Sequence, residues 1–169
     1  ELAPNDATAL YARAQLLRQT GRSEEALRDF DRAAAIAPSA PTIPAGRGLA
    51  LLDLGRLDDA LRAFDRALEL DADGAAALYG RATVRMAYGQ YAEAVPDLDR
   101  MIRNVPTFRN GLALRSQAYA ALGRAPDAVR DANAMVELNP NDPGSIIDRA
   151  AVFVLLGERD RAVADYEQL

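Results

Sequence analysis

The sequence lacks three residue types on which most catalytic and metal sites depend. Its 169 residues include no cysteine and no histidine, and every basic residue is arginine. Without cysteine and histidine there are no thiol nucleophiles, disulfides, imidazole bases or usual zinc ligands. The absence of lysine excludes Ser/Lys and lysine-based mechanisms as well. We therefore expect a chain that is not an enzyme, with no catalytic residues, no cofactor and no metal.

Charge and hydropathy argue against two classes of partner. The net charge is -5 and the isoelectric point is near 4.8, whereas binding to a phosphate backbone needs a positive surface. The longest apolar runs, such as residues 150–156, fall far short of the roughly 20 residues that span a bilayer. We therefore expect neither nucleic-acid binding nor membrane insertion.

Aromatic residues make up only 6% of the chain, and the excess of apolar residues is alanine. Alanine is a strong helix former with a small side chain, which favours closely packed helices over sheets.

A fixed spacing between equivalent residues indicates a repeat architecture. Glycine recurs at intervals of 34 residues, and an alanine stands five residues beyond each glycine. The glycines are Gly21, Gly55, Gly89, Gly123 and Gly157, and the alanines are Ala26, Ala60, Ala94, Ala128 and Ala162.

This spacing resembles the tetratricopeptide repeat (TPR), whose pattern places large, small, alanine, aromatic and proline residues at set positions. In the first repeat these positions hold Leu10, Ala14, Leu17, Ala26, Phe30, Ala33 and Pro38. The match covers essentially the whole chain, although position 4, a tryptophan in the family, holds Leu10, Pro44, Leu78, Leu112 and Ile146. The resemblance implies an all-α fold, a right-handed superhelical solenoid of helix-turn-helix hairpins in a single array over residues 1–169.

The period also predicts the boundaries within the array. Repeats span residues 7–40, 41–74, 75–108 and 109–142, and a partial repeat follows at 143–169. Residues 1–6 closely parallel residues 137–142 and are predicted to be the tail of a preceding repeat. In the first repeat we expect helices near 8–20 and 24–37. Gly21 would take the left-handed conformation at the break, and Ser23 would cap the second helix.

The composition of the chain indicates a type of source organism but not a cellular compartment. Arginine-only usage with abundant alanine is typical of a GC-rich bacterial genome. No signal peptide is visible at Glu1, but the start resembles one excised from a longer protein, so this says little about the compartment. Localisation is unknown, with the bacterial cytoplasm favoured over the periplasm.

Arginine occupies position 7 of all five repeats, and aspartate occupies position 23 of four of them. In an antiparallel hairpin these positions come close together, so we expect salt bridges between the two helices of a repeat. The arginines are Arg13, Arg47, Arg81, Arg115 and Arg149, and the aspartates are Asp29, Asp97, Asp131 and Asp165.

The resemblance places the ligand site on the concave surface, lined by the first helix of each repeat. A groove with tyrosines, amides and apolar patches suits a peptide, because amides pair with its backbone while tyrosine supplies rigid contact area. The predicted peptide-groove residues are Thr8, Tyr11, Gln15, Arg18, Gln19, Leu49, Asp53, Tyr79, Thr83, Met86, Asn110 and Gln117.

We therefore expect a protein-interaction scaffold that binds a protein or peptide segment of unknown identity in this groove. The Lys/Asn carboxylate clamp of some relatives is disfavoured, because Tyr11 and Gln15, then Gly46, then Tyr79 and Thr83 stand at its positions. Two alternatives stay open. The chain would be a structural spacer that self-associates through uncapped terminal repeats, giving a homo-oligomer. Otherwise it would be the accessory array of a larger bacterial enzyme or secretion component.

Overall fold

The structure is a computed structural model that describes residues 6–169. The described residues form ten α-helices and no strands. The helices are α1 (Ala7–Gln19), α2 (Ser23–Ile36), α3 (Thr42–Asp53), α4 (Leu57–Leu70), α5 (Ala75–Ala87), α6 (Tyr91–Asn104), α7 (Arg109–Ala121), α8 (Ala125–Leu138), α9 (Pro143–Leu155) and α10 (Arg159–Tyr166). Of the predicted tail of a preceding repeat, residues 1–5 lie outside the described residues, and Asp6 caps α1 by accepting a hydrogen bond from the Thr8 backbone N–H.

Each hairpin turns at the glycine that marks the period. The five glycines have φ angles between 70° and 78°, the left-handed region that glycine enters without steric cost. At the first turn the Gly21 N–H donates to the Arg18 carbonyl and the Arg22 N–H donates to the Leu17 carbonyl. This is the Schellman pattern, which satisfies the last carbonyls of a helix. The sequence prediction for the glycines is confirmed.

The predicted cap of α2 is wrong. Ser23 is the first residue of the helix and is buried, while Arg22 is the N-cap and makes no side-chain cap hydrogen bond. The Arg22 guanidinium instead donates two hydrogen bonds of 2.7 Å to the Glu25 carboxylate. Because the Schellman turn uses the Arg22 N–H, the helix starts directly after it and Ser23 turns inward.

The chain divides into two compact units, residues 1–84 and residues 85–169. In the first unit α1 packs on α2, α3 packs on both α2 and α4, and α1 also contacts α3. The core of this unit is built from the fully buried rings of Phe30 and Phe64 among alanine and leucine side chains. One hairpin cannot cover its apolar face alone, so the core forms by stacking.

The second unit repeats this packing with a different core. Helix α7 lies against α6, α8 and α9, and α9 packs on α8 and α10. Leucine and methionine replace the phenylalanine rings, with Leu98, Met101 and Met135 fully buried. Pro96 lies inside α6, and its ring removes one helix hydrogen bond without ending the helix.

Glycines in α3 and α5 let aromatic rings approach the helix backbone. A Cβ atom on Gly80 would lie 2.2 Å from Phe64 Cζ, and one on Gly48 would lie 2.6 Å from Phe64 Cε1. On the other side, a Cβ atom on Gly46 would lie 2.7 Å from Phe30 Cε1. These distances are too short for any side chain. The glycines therefore lower the helix propensity of α3 and α5 but make room for the core.

We predict that Gly80→Ala destabilises the protein although alanine is the better helix former. The gain in helix propensity is at most about 1 kcal/mol, whereas overpacking against the buried Phe64 ring costs roughly 1–3 kcal/mol. Urea denaturation followed by circular dichroism would measure the change. Adding Phe64→Leu to Gly80→Ala should recover part of the loss. Simple additivity of the two substitutions would contradict the contact.

Candidate functional site

A cavity of about 270 Å³ opens on the first unit, where the predicted groove residues of α1 and α3 meet the start of α5. It is lined by Tyr11, Gln15, Pro41, Thr42, Ala45, Gly46, Leu49, Ala67, Asp71, Gly74, Ala75, Ala76 and Ala77. Small residues line most of the wall facing Tyr11 and Leu49. The cavity exists because α3 and the start of α5 carry glycine and alanine where a longer side chain would fill the space.

Contacts with neighbouring side chains fix the positions of Tyr11 and Gln15. The Tyr11 ring meets the buried Phe30 ring edge-on, with 5.8 Å between centroids. Its hydroxyl accepts a hydrogen bond of 3.1 Å from Gln15 Nε2. Both side chains are half-buried, so each offers one face to the cavity while the other face is fixed. A preformed aromatic surface of this kind loses little entropy when it binds a ligand.

Two polar side-chain atoms of α1, one of them on the cavity-lining Gln15, have no hydrogen-bond partner among the described residues. They are Gln15 Oε1, an acceptor, and Arg18 Nε, a donor, and both are buried. The same Arg18 side chain reaches Asp53 of α3 through Nη1 at 3.2 Å. An unmet buried polar group costs about 1–3 kcal/mol, so this face of α1 keeps unused hydrogen-bonding capacity.

The other predicted residues of the first unit lie on the same helices at different depths. Thr8 and Gln19 are exposed on α1. Tyr79 and Thr83 are half-buried on α5, where the Thr83 hydroxyl donates to the Tyr79 backbone carbonyl at 2.8 Å. The structure thus brings Tyr11, Gln15 and Leu49 to one cavity, while Tyr79 and Thr83 do not line it.

In the second unit an ion pair occupies the corresponding surface between α7 and α9. Arg109 Nη2 donates to Asp148 at 2.6 Å, and Arg109 Nε contacts both Ser145 at 2.9 Å and Asp142 at 3.1 Å. The predicted Asn110 accepts from Arg109 Nη1 at 3.3 Å. Gln117 is half-buried, and Met86 packs against the core of this unit. Sequence analysis did not identify the Arg109 cluster, which is assembled from separate helices.

The expected bridge between positions 7 and 23 forms in three repeats, while Asp97, the fourth position 23 aspartate, accepts a hydrogen bond of 2.7 Å from Arg85 Nη1. The three bridges are Arg13–Asp29, Arg115–Asp131 and Arg149–Asp165, each at 2.6 Å. Four of the position 7 arginines also reach back sixteen residues to position 25 of the preceding repeat, a contact that sequence analysis missed. These pairs are Arg47–Asp31, Arg81–Asp65 and Arg115–Asp99 at 2.8 Å, and Arg149–Asn133 at 3.4 Å. We call these contacts the arginine ladder.

The ladder is most enclosed around Arg115. Its side chain is 14% exposed and that of Asp131 is 3% exposed. Burial opposes the charge of Arg115, but its hydrogen bonds to Asp131 and Asp99 outweigh this effect and raise its pKa. Burial and the nearby Asp99 raise the pKa of Tyr119, whose ring packs 4.3 Å from the Arg124 guanidinium carbon. These shifts have structural causes and mark no proton-transfer site.

Among residues 6–169, no cluster of three or more aspartate or glutamate side chains could hold a metal ion. In the same part of the chain, no helix is long and apolar enough to cross a membrane. The described surface instead offers a groove, an ion-pair ladder and exposed helix faces. These features define a helical-repeat protein.

The chain belongs to the tetratricopeptide repeat family. Sequence profiles described as Tetratricopeptide repeat match residues 7–40, 46–107 and 84–143. A search of the curated proteins finds no significant match. Family membership and all-α hairpin repeats agree with the sequence prediction, and together they support a protein-interaction scaffold.

Several solved structures share the fold. A MamA fragment (41-end) from Desulfovibrio magneticus RS-1 superposes with a TM-score of 0.85 at 22% identity, covering 99% of this chain and 94% of that one. YrrB, described as a TPR protein with an unusual peptide-binding site, superposes with a TM-score of 0.78 at 21% identity. The match covers 96% of this chain and 84% of YrrB. A tetratricopeptide repeat protein from Parabacteroides merdae ATCC 43184 superposes with a TM-score of 0.80 at 24% identity. The match covers 99% of this chain and 65% of that one. At these identities the likeness establishes the fold.

We predict that Arg115→Ala destabilises the protein by about 3 kcal/mol, because it leaves the buried Asp131 carboxylate without its main partner. The matched control is Arg130→Ala, which removes a side chain that is 62% exposed and should cost less than about 1 kcal/mol. Free energies of unfolding from urea titrations would measure both. Equal effects of the two substitutions would show that burial of the ladder is unimportant.

We also predict that acid weakens the folded state. The hydrogen bonds from Arg13 hold the pKa of Asp29 below its ordinary value, and those from Ser145 and Arg124 do the same for Asp142 and Asp127. A carboxyl with a lowered folded-state pKa adds stability above its unfolded pKa of about 3.9, and this stability is lost as the pH falls further.

Urea titrations at a series of pH values should therefore show the free energy of unfolding declining from about pH 5 downward. In Asp29→Asn the decline should be shallower, because one of the responsible carboxyls is gone. An unchanged decline in this variant would exclude Asp29 as a contributor.

Proposed function

We propose that the first unit binds an extended peptide segment and takes one apolar side chain of that segment into the cavity beside Tyr11. The observation that carries the proposal is the cavity itself, with a fixed aromatic ring on one side and glycine and alanine on the other. Its volume of about 270 Å³ falls below the usual range of about 300–1,000 Å³ for small-molecule pockets. A single large side chain suits it better than a cofactor, which is consistent with a non-catalytic role.

The polar groups around the cavity support a peptide backbone as the rest of the ligand. Gln15 Oε1 and Arg18 Nε, one helical turn apart on α1, have no partner among the described residues. A peptide bond supplies one N–H donor and one carbonyl acceptor, which matches this pair. The description of YrrB as having a peptide-binding site adds support at the level of the fold.

The groove residues Thr8, Gln19 and Asp53 extend this proposed site along α1 and α3. Tyr79, Thr83, Met86, Asn110 and Gln117 stay predicted contacts for a longer segment. The Arg18–Asp53 pair, at 3.2 Å and partly exposed, would be displaced by a charged ligand residue at little cost, since such pairs contribute only about 0–1 kcal/mol.

The proposal can be tested by selecting peptides from a random displayed library and measuring their affinity by fluorescence anisotropy. Ala76 lines the cavity yet is exposed, so Ala76→Phe should fill the cavity without disturbing the core. We predict that this substitution weakens a selected peptide at least about tenfold, the equivalent of roughly 1.4 kcal/mol.

The matched control is Ala92→Phe, which adds the same ring at an exposed position of α6 outside the cavity lining. Its affinity for the peptide should equal that of the unmodified protein. Equal affinity of both variants would place the binding site elsewhere and overturn the proposal. Failure to select any peptide would also count against it.

A second candidate function is self-association through the terminal repeats, favoured by exposed apolar side chains on α9 and α10. Val154, Leu155, Val163 and Tyr166 are each about half exposed, at 56%, 60%, 54% and 48%. They lie on two neighbouring helices, and a group of exposed apolar side chains is typical of an interaction surface. Oligomers built through such faces would act as spacers or scaffolds.

A further inference from the structure

The wall of the cavity beside Tyr11 carries a negative charge. Among the described residues that line the cavity, Asp71 is the only charged one, and it is exposed. Asp71 forms no ion pair within the described part of the chain. Other carboxylates of α3 and α4 have arginine partners, in the pairs Asp53–Arg18 at 3.2 Å, Asp65–Arg81 at 2.8 Å and Glu69–Arg66 at 2.8 Å. The charge of Asp71 is therefore left uncompensated at the cavity.

The turn between α4 and α5 uses only part of the Asp71 side chain. Oδ1 accepts a hydrogen bond of 3.1 Å from the Asp73 backbone N–H, and the Asp71 carbonyl accepts one of 3.1 Å from the Gly74 N–H. An Asx turn of this kind needs one side-chain oxygen, which asparagine supplies equally well. Oδ2 has no partner among the described residues. The turn therefore does not account for the negative charge.

The repeat framework does not account for the charge either. The equivalent positions of the other repeats hold Ala37, Val105 and Asn139, which are uncharged. Residues 67–80, which include both Asp71 and the α5 wall of the cavity, contain no arginine. The partial charges of the α4 C-terminus and the α5 N-terminus have opposite signs, so together they do not replace a cation. The carboxylate thus belongs to the one repeat whose end borders this cavity.

We infer that the bound peptide carries an arginine or lysine two residues from the side chain in the cavity, and that Asp71 binds its cationic head group. This inference rests on the proposed function, because it specifies the chemistry of the same peptide. Successive side chains of an extended segment point to opposite sides, so residues two apart share a side and lie about 7 Å from each other. The apolar stem of a long basic side chain packs on alanine while its charged end stays in water.

The pairing gives the site selectivity more than affinity. An exposed ion pair contributes at most about 1 kcal/mol, whereas a like charge in the same place is repelled and disfavours the wrong partner. The site should therefore discriminate against peptides with an acidic residue at this place.

The test uses fluorescein-labelled short peptides with a central leucine or phenylalanine in a serine background. Arginine, glutamine or glutamate is placed one or two residues from the centre, on either side, and affinity is measured by fluorescence anisotropy at low salt. Arginine two residues away on one side should bind about threefold more tightly than glutamine, and glutamate should bind less tightly than both. Arginine one residue away should give no gain, because it points away from Asp71.

Asp71→Asn keeps the Asx turn and removes the charge, so it should abolish the preference for arginine over glutamine without weakening the glutamine peptide. The matched control is Asp73→Asn, which removes the same charge from an exposed residue outside the cavity lining and should keep the preference. A preference that survives in Asp71→Asn, or that both variants lose equally, would overturn the inference.

The same measurements separate this inference from the proposed function. Binding that Ala76→Phe weakens, with equal affinity for the arginine and glutamine peptides in the unmodified protein, would leave peptide binding in place and overturn only the role of Asp71. Absence of binding by every peptide of the set would count against the proposed function and would overturn this inference with it.

Discussion

Each hairpin of this protein depends on the next one to cover its apolar face. The contact that does so in the first unit is an aromatic ring laid against a glycine, Phe30 on Gly46 and Phe64 on Gly80. The fully buried ring excludes water from the gap between helices, and the glycine lets the backbone come close enough for it. Helix propensity is given up at these glycines, so the stability of α3 and α5 comes from tertiary packing rather than from their own sequences.

The arginine ladder acts on the same stacking in a more selective way. Asp29, Asp131 and Asp165 are buried, and each is paired with an arginine at 2.6 Å. A buried pair of this kind adds little net stability, but a buried carboxylate left unpaired costs several kcal/mol. Packing of apolar faces tolerates small shifts between helices. A shift of the arginine ladder, in contrast, would leave buried carboxylates without an arginine partner. The ladder therefore favours one register of stacking, in which Arg115 and Arg149 each meet an acceptor in their own repeat and one in the preceding repeat.

The same small residues that permit close stacking also create the candidate site. Gly46 and Ala45 of α3 and the alanines at the start of α5 leave open the cavity beside Tyr11. Tyr11 in turn packs on Phe30, so the ring that seals the core also fixes the aromatic wall of the groove. The proposed peptide recognition therefore uses a surface whose shape is set by the packing of the core.

Part of the candidate site followed from the resemblance to the tetratricopeptide repeat. Tyr11, Gln15 and Leu49 were predicted to share a surface because they stand at repeat positions that line the concave face in that family, and the structure brings them to one cavity. The sequence could not show that Ala76 and Asp71 join them. It also missed the role of Asp31, Asp65 and Asp99, although their 34-residue spacing was a readable signal. Arg109 was missed because its partners Ser145 and Asp148 come from the next repeat and Asp142 lies at the far end of its own repeat.

What the sequence determined by itself was the local geometry that repeats every 34 residues. The glycine turns, the helix pairs and the position 7 to position 23 bridges within one hairpin follow from backbone sterics and helical spacing. Only the tertiary structure decided which side chains meet across repeats, because those contacts depend on how closely two helices approach and how far one is shifted along the other. The volume beside Tyr11, the unpaired atoms of Gln15 and Arg18, and the sixteen-residue backward reach of the ladder all belong to this second kind.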